Sequence, residues 1–267
     1  SIADFISSRY GKSTFLGVWA TIIAVFGIIP YISIQLKAVA VSFDILTHDG
    51  EQAWSAEEFL NIPFYLDTAW YIAIALAVFT ILFGTRNLDP NERHEGLVAA
   101  VAFESLLKLV AFLAIGIFVT FGLFNGFGDI FSNASKYEEI AQILFLEDGH
   151  IDGWYWFWLT FLSMFAILFL PRQFHIAVVE NTNPEFVKTA AWVFPLYLLL
   201  INIFVLPVAM GGILKFGSAA NADMFVLSLP MREGQNMLAL FVALGGFSAA
   251  TSMVIVAVTA LGIMISN

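Results

Sequence analysis

Long apolar runs separated by short polar ones set the pattern of this chain. A bilayer core of about 30 Å is crossed by roughly 20 helical residues, and six stretches qualify: 14–46, 66–85, 97–125, 153–171, 189–212 and 237–265. They predict six transmembrane helices and hence an all-α, polytopic membrane protein. Asp89-Pro90 and Asn183-Pro184 each place an N-cap residue before a proline suited to the first helical turn, both on the same side of the membrane. Ser55-x-x-Glu58 and Ser135-x-x-Glu138 have capping-box spacing and predict short helices outside the membrane, the second over 136–146 along the interface.

The polar loops also predict an orientation, because Lys and Arg are retained on the cytoplasmic side. Arg9, Lys12, Arg86, Arg93, Arg172 and Lys188 fall on the side of the N-terminal end, against Lys136, Lys215 and Arg232 opposite, a count of six to three. The N-terminal end is therefore expected to be cytoplasmic. The first span is too long for an upright crossing, so it tilts or breaks, with Pro30 near its middle as the natural kink. The last span is rich in small residues from Gly245 to Ser252. Such a stretch serves either close helix packing or a solute or ion site.

Composition sharpens this picture. Of 267 residues, 60% are hydrophobic and 12% charged, about half the charged share of soluble domains. An ordinary soluble globular protein is excluded. A net charge of -10 with only 11 scattered Lys and Arg argues against nucleic acid as a partner. Without Cys there is no thiolate metal site or cysteine nucleophile, and His48, His94, His150 and His175 have no metal-ligand spacing. Neither phosphate-cradling glycine motifs nor hydrolase motifs occur, so catalysis is not expected within these residues, and no cofactor is. The classes left are a carrier, a sensor built on a carrier-like bundle, and a structural membrane module. The chain opens on Ser1, has its first Met at Met164 and stops at Asn267 straight after an apolar stretch. It is expected to be a segment of a longer polypeptide.

Charged groups at membrane depth are costly and are functional candidates by default. Glu104 and Lys108 stand four apart with the acid first, the favourable order for an intrahelical ion pair. They either neutralise each other towards the bundle interior or form a proton or solute relay. Lys37 either snorkels to the interface or lines a pathway. His175 follows Pro171, which interrupts a span, and interrupted spans are where transporters place binding sites; a structural role for one histidine is the alternative. Gly122-x-x-x-Gly126 reads as a dimerisation signal or, more simply, a helix end.

Several runs also carry a family resemblance. Ser1-Ile-Ala-Asp-Phe-Ile-Ser-Ser-Arg-Tyr-Gly11 resembles the motif before the third core helix of the sodium/solute symporter family, which includes proline and pantothenate permeases. Glu95-Gly-Leu-Val-Ala-Ala-Val-Ala-Phe-Glu-Ser105 resembles the start of that family's fifth core helix. Gln173-Phe-His175-Ile sits where permeases carry Gln-Pro-His-Ile. Four more runs are similar to the transporter-like domain fused to bacterial sensor histidine kinases of the carbon- and nitrogen-utilisation type. These are Ile29-Pro-Tyr-Ile-Ser-Ile-Gln-Leu-Lys-Ala38, Gly84-Thr-Arg-Asn-Leu-Asp89, Leu170-Pro-Arg-Gln-Phe-His-Ile-Ala-Val-Val-Glu-Asn181 and Gly245-Gly-Phe-Ser-Ala-Ala-Thr-Ser-Met253.

The resemblance implies a partial symporter-like domain over 1–267, supplying core helices three to eight of an inverted-repeat, five-plus-five bundle in a bacterial inner membrane. The broken first core helix would lie upstream, so this segment alone should not transport. Gln173 and His175 become expected solute contacts, with Gln35 and Lys37 on the pathway. Ser248 becomes the first hydroxyl of the symporter cation site, but Ala249 stands at the second, leaving Thr251 or Ser252 to substitute. Sodium coupling is thereby put in doubt against proton coupling. The leading expectation is the solute-sensing and transporting module of a sensor kinase, signalling through a response regulator. The alternative is a free-standing symporter of an amino acid or carboxylate.

Overall fold

The computed structural model describes residues 1–47, 68–83, 95–137, 140, 153–217 and 220–266. Among them the regular structure is entirely helical: α1 (Ile2–Arg9), α2 (Thr14–Thr47), α3 (Thr68–Phe83), α4 (Glu95–Ile117), α5 (Phe127–Ala134), α6 (Gly153–Phe169), α7 (Pro171–Phe174), α8 (Glu185–Asn202), α9 (Val205–Phe216), α10 (Phe225–Arg232) and α11 (Asn236–Ser266). Two π-helical turns, Phe118–Leu123 and His175–Val179, extend α4 and α7. Four helices are long and apolar enough to cross a membrane, and the bent pair α6–α7 makes a fifth. The chain is an all-α polytopic membrane protein.

Local chemistry explains where helices start and stop. Ser1 and Asp4 close a capping box on α1, and Gly11 (φ 71°) with Lys12 (φ 58°) reverses the chain into α2. The tip of α1 thereby folds back along α2, so that Ile2 and Ala3 pack near Ile28. The first span is one unbroken 34-residue helix with Pro30 inside it, about 50 Å long at 1.5 Å per residue. Leu170 is extended (ψ 123°) because the residue before a proline is driven out of the helical region; the break expected at Pro171 is there, with a bend of 41°. The Asn183 side chain accepts the Glu185 N–H at 3.0 Å, as an N-cap does.

The 189–212 span is there as Glu185–Phe216, long and apolar enough to cross a membrane; its helix is interrupted at Ile203 and Phe204, because Pro207 has no N–H for the Ile203 carbonyl and its ring crowds that carbonyl. Ser135 closes a helix; Glu138, the other half of its capping-box signal, lies outside the described residues, and Ile140 is helical. The helix it closes, α5, follows Gly126 (φ 104°) and is braced by Asp129, which accepts from the Asn125 N–H at 3.0 Å and Asn133 Nδ2 at 2.8 Å. Gly126 thus marks a helix end, not a dimer face. Arg172 does not lie in a loop but meets the middle of α2, leaving five basic residues against three in the orientation count. The Asp89-Pro90 and Ser55-x-x-Glu58 signals lie outside the described residues, as do 141–146.

Packing is organised by α11, which touches α2, α3, α4, α7 and α10. It runs antiparallel to α2 and α4. Ala239 and Ala243 meet Val41 and Ile45, Ala257 and Leu261 meet Ile28 and Phe174, and Val242 joins Ile115, Val119, Phe204 and Leu229. Small residues permit this density: a Cβ on Gly245 would stand 2.8 Å from that of Ala111 on α4. Hydroxyls within apolar helices bond back to their own turn, as Thr80 does to Leu76 O (2.7 Å) and Ser105 to Val101 O (2.8 Å).

Candidate functional site

The break between α6 and α7 is the centre of a polar cluster in an otherwise apolar bundle. Tyr31 lies 17 residues beyond the start of α2, roughly 25 Å along its axis, so groups meeting it lie near the middle of that apolar span. The Arg172 guanidinium donates to Tyr31 Oη and lies over the Tyr31 ring, 5.1 Å from its centroid. Tyr31 Oη in turn lies 2.9 Å from Met253 Sδ on α11. Three runs that carry the resemblance, 29–38, 170–181 and 245–253, therefore converge on one point. The fourth, 84–89, is outside the described residues.

Immediately beyond, the chain widens into the π-helical turn, where the Glu180 N–H donates to His175 O at 3.0 Å. The i to i+5 spacing sets His175 and Glu180 over one another, with Nε2 and Oε1 3.2 Å apart and side chains 4% and 3% exposed. Nε2 makes no aligned hydrogen bond there, so the two groups meet by proximity. Phe174 beside it is buried against Ile28, Ala257 and Leu261, which fixes the segment to α2 and α11. Gln173 is half-buried.

Glu104 is only 5% exposed, in the helix that packs most closely on α11. The expected direct ion pair with Lys108 is absent: among the described residues no basic nitrogen lies within 4.0 Å of the carboxylate, and Oε2 accepts no hydrogen bond. Next to them α4 and α11 approach closely: a Cβ on Gly245 would stand 3.8 Å from Lys108 Cα and from Leu107 O. Lys108 and Arg172 still act electrostatically on Glu104, so two cations share one acid. Tyr197 on α8 donates to Ser105 O at 3.1 Å beside this group.

On α11, Ser248, Thr251 and Ser252 are half-buried. The Thr251 hydroxyl is engaged by its own helix, donating to Phe247 O (2.9 Å) and Ser248 O (3.0 Å). Gln35 is half-buried and Lys37 exposed on α2, six residues beyond Tyr31. Sequence reasoning missed Arg172, Tyr31 and Glu180 as site residues, and only Pro171 signalled the place. Tyr31→Phe removes the oxygen that holds Arg172, a bond to a charged group of about 1.5–3 kcal/mol. Its thermal midpoint in detergent is expected to fall by several degrees in the full-length protein.

This arrangement defines a multi-pass helical membrane protein. The chain is similar to the Bacillus subtilis (strain 168) protein Uncharacterized symporter YhjB, with 23% identity over 237 residues, 87% of this chain. It spans 42% of that relative's length. No protein-family model matches the chain, and no solved structure matches it either.

Proposed function

We propose that this chain is the solute-binding part of a symporter-like secondary transporter, with the α6–α7 break as its solute-facing point. The similarity to a symporter carries the class. What supports the location is Arg172, held near the middle of α2 by Tyr31 where a span is interrupted. In this reading Gln173 and His175 face the pathway with Gln35 and Lys37 further along, while Ser248, Thr251 and Ser252 lie on the helix that offers a coupling-cation site. The bilayer and a small solute are its partners, the N-terminal end is cytoplasmic, and the membrane is a bacterial inner membrane. The test is uptake of labelled carboxylates and amino acids by proteoliposomes of the full-length protein under an inward sodium or proton gradient. Gradient-driven accumulation is expected for at least one solute. Equilibration no faster than in protein-free vesicles for the whole panel would sink the reading.

A second reading, the sensing module of a histidine kinase, rests on the resemblance of the runs 29–38, 84–89, 170–181 and 245–253 alone. It requires a phosphoacceptor histidine and an ATP-binding domain in the parent chain. Solute-dependent autophosphorylation with labelled ATP supports it, and a full-length protein that incorporates no label refutes it.

A further inference from the structure

A cavity of about 640 Å³ opens between α1, the first half of α2, the α6–α7 break and α11, within the range of about 300–1,000 Å³ that holds small organic ligands. Ile2, Ile28 and Ala257 form its buried floor, while Trp19, Ile23 and Phe169 at its rim are about half to two-thirds exposed. Only Tyr31 and Arg172 among its lining residues are polar. One cation thus stands at one end of an apolar chamber.

That cation has no close counter-ion. No carboxylate comes within 4.0 Å of Arg172 among the described residues. Glu180, its nearest acid in the chain, is against His175, and Glu104 is shared with Lys108. A charged group at membrane depth pairs almost without exception, and a guanidinium is shaped to take a carboxylate on two parallel N–H donors. Tyr31 fixes the orientation of the guanidinium before any ligand arrives, which lowers the ordering cost of binding.

We infer that this cavity binds a monocarboxylate with an apolar body, the carboxylate on Arg172 and the body against Ile23, Ile28 and Phe169. The chamber also rejects a zwitterion: none of its lining residues is acidic, so an α-ammonium would be buried without a partner. Of the two solute classes left open by the sequence, the carboxylate is therefore selected over the amino acid. The assignment rests on the transport reading only in treating the ligand as a solute.

The test is calorimetric titration of the full-length protein in detergent with sodium phenylacetate and with phenylacetamide, which share a body and differ in charge. Phenylacetate is expected to bind at least tenfold more tightly than the amide, and Arg172→Gln to erase that preference. Gly27→Phe provides a second variant. Gly27 lines the cavity and a Cβ there meets nothing within 4 Å, so a ring carried into the cavity from this position should abolish binding without lowering the thermal midpoint. Equal affinity for acid and amide overturns the inference, as does an Arg172→Gln protein that keeps the preference or a wild-type protein that binds neither probe. Carboxylate binding without uptake of any solute defeats the transport reading and leaves the anion site standing. Uptake without carboxylate binding does the reverse.

Discussion

Glu180→Ala is expected to lower stability by about 1–3 kcal/mol, the cost of stripping a buried polar group of its neighbour. The carboxylate is 3% exposed and 3.2 Å from His175 Nε2, and water cannot replace it where the segment is sealed by Phe174, Ala257 and Leu261. Glu180→Gln keeps the shape and an acceptor oxygen but loses the charge, so an intermediate loss is expected. The readout is the thermal unfolding midpoint of the full-length protein in detergent. A Glu180→Ala protein that melts with the wild type would show that the π-helical turn is held by apolar packing alone.

A second large effect is expected at Gly212. A Cβ there would stand 2.0 Å from the Phe225 ring, and that ring is 2% exposed and stacked on Phe216 at 5.8 Å between centroids. Neither ring has room to retreat. Gly212→Ala should therefore cost about 3 kcal/mol, the upper part of the usual overpacking range. Gly246→Ala on α11 is the matched control, because its Cβ meets nothing within 4 Å. In a helix interior that exchange is worth up to about 1 kcal/mol in favour of alanine. The two midpoints should move in opposite directions.

Hydropathy located the long helices Thr14–Thr47, Val98–Leu123, Glu185–Phe216 and Asn236–Ser266, because a bilayer demands long apolar runs and the chain supplies them, but not the short α1, α5 and α10. It also marked the α6–α7 break, since Pro171 constrains its neighbour Leu170 through local sterics. The parting at Ile203 was not legible: Pro207 sits inside an apolar run, and composition does not reveal which carbonyl loses its donor. Helix α5 fell in the loop expected after the span ending at 125, because eight residues are too few for hydropathy to mark as a separate element. Arg172 was counted as a loop residue because a charge next to a proline normally ends a span. Glu180 escaped notice because five-residue spacing matches no α-helical neighbour and becomes a contact only in a π-helical turn. Tyr31 and Met253 are separated by 222 residues, a proximity that periodicity cannot carry.

The central claim is that an aqueous solute reaches the interrupted span at Arg172. These 267 residues contain no Cys, so a single cysteine at Gln173 adds one reactive thiol to this region. In the full-length protein, with any cysteines elsewhere replaced, the measurement is the rate of Gln173→Cys labelling by a membrane-impermeant, charged thiol reagent, with and without sodium phenylacetate. The account predicts labelling despite the depth of the site and at least a tenfold slowing by the carboxylate. A thiol that stays unreactive from both sides of the membrane, or one that reacts at the same rate with ligand present, would contradict it.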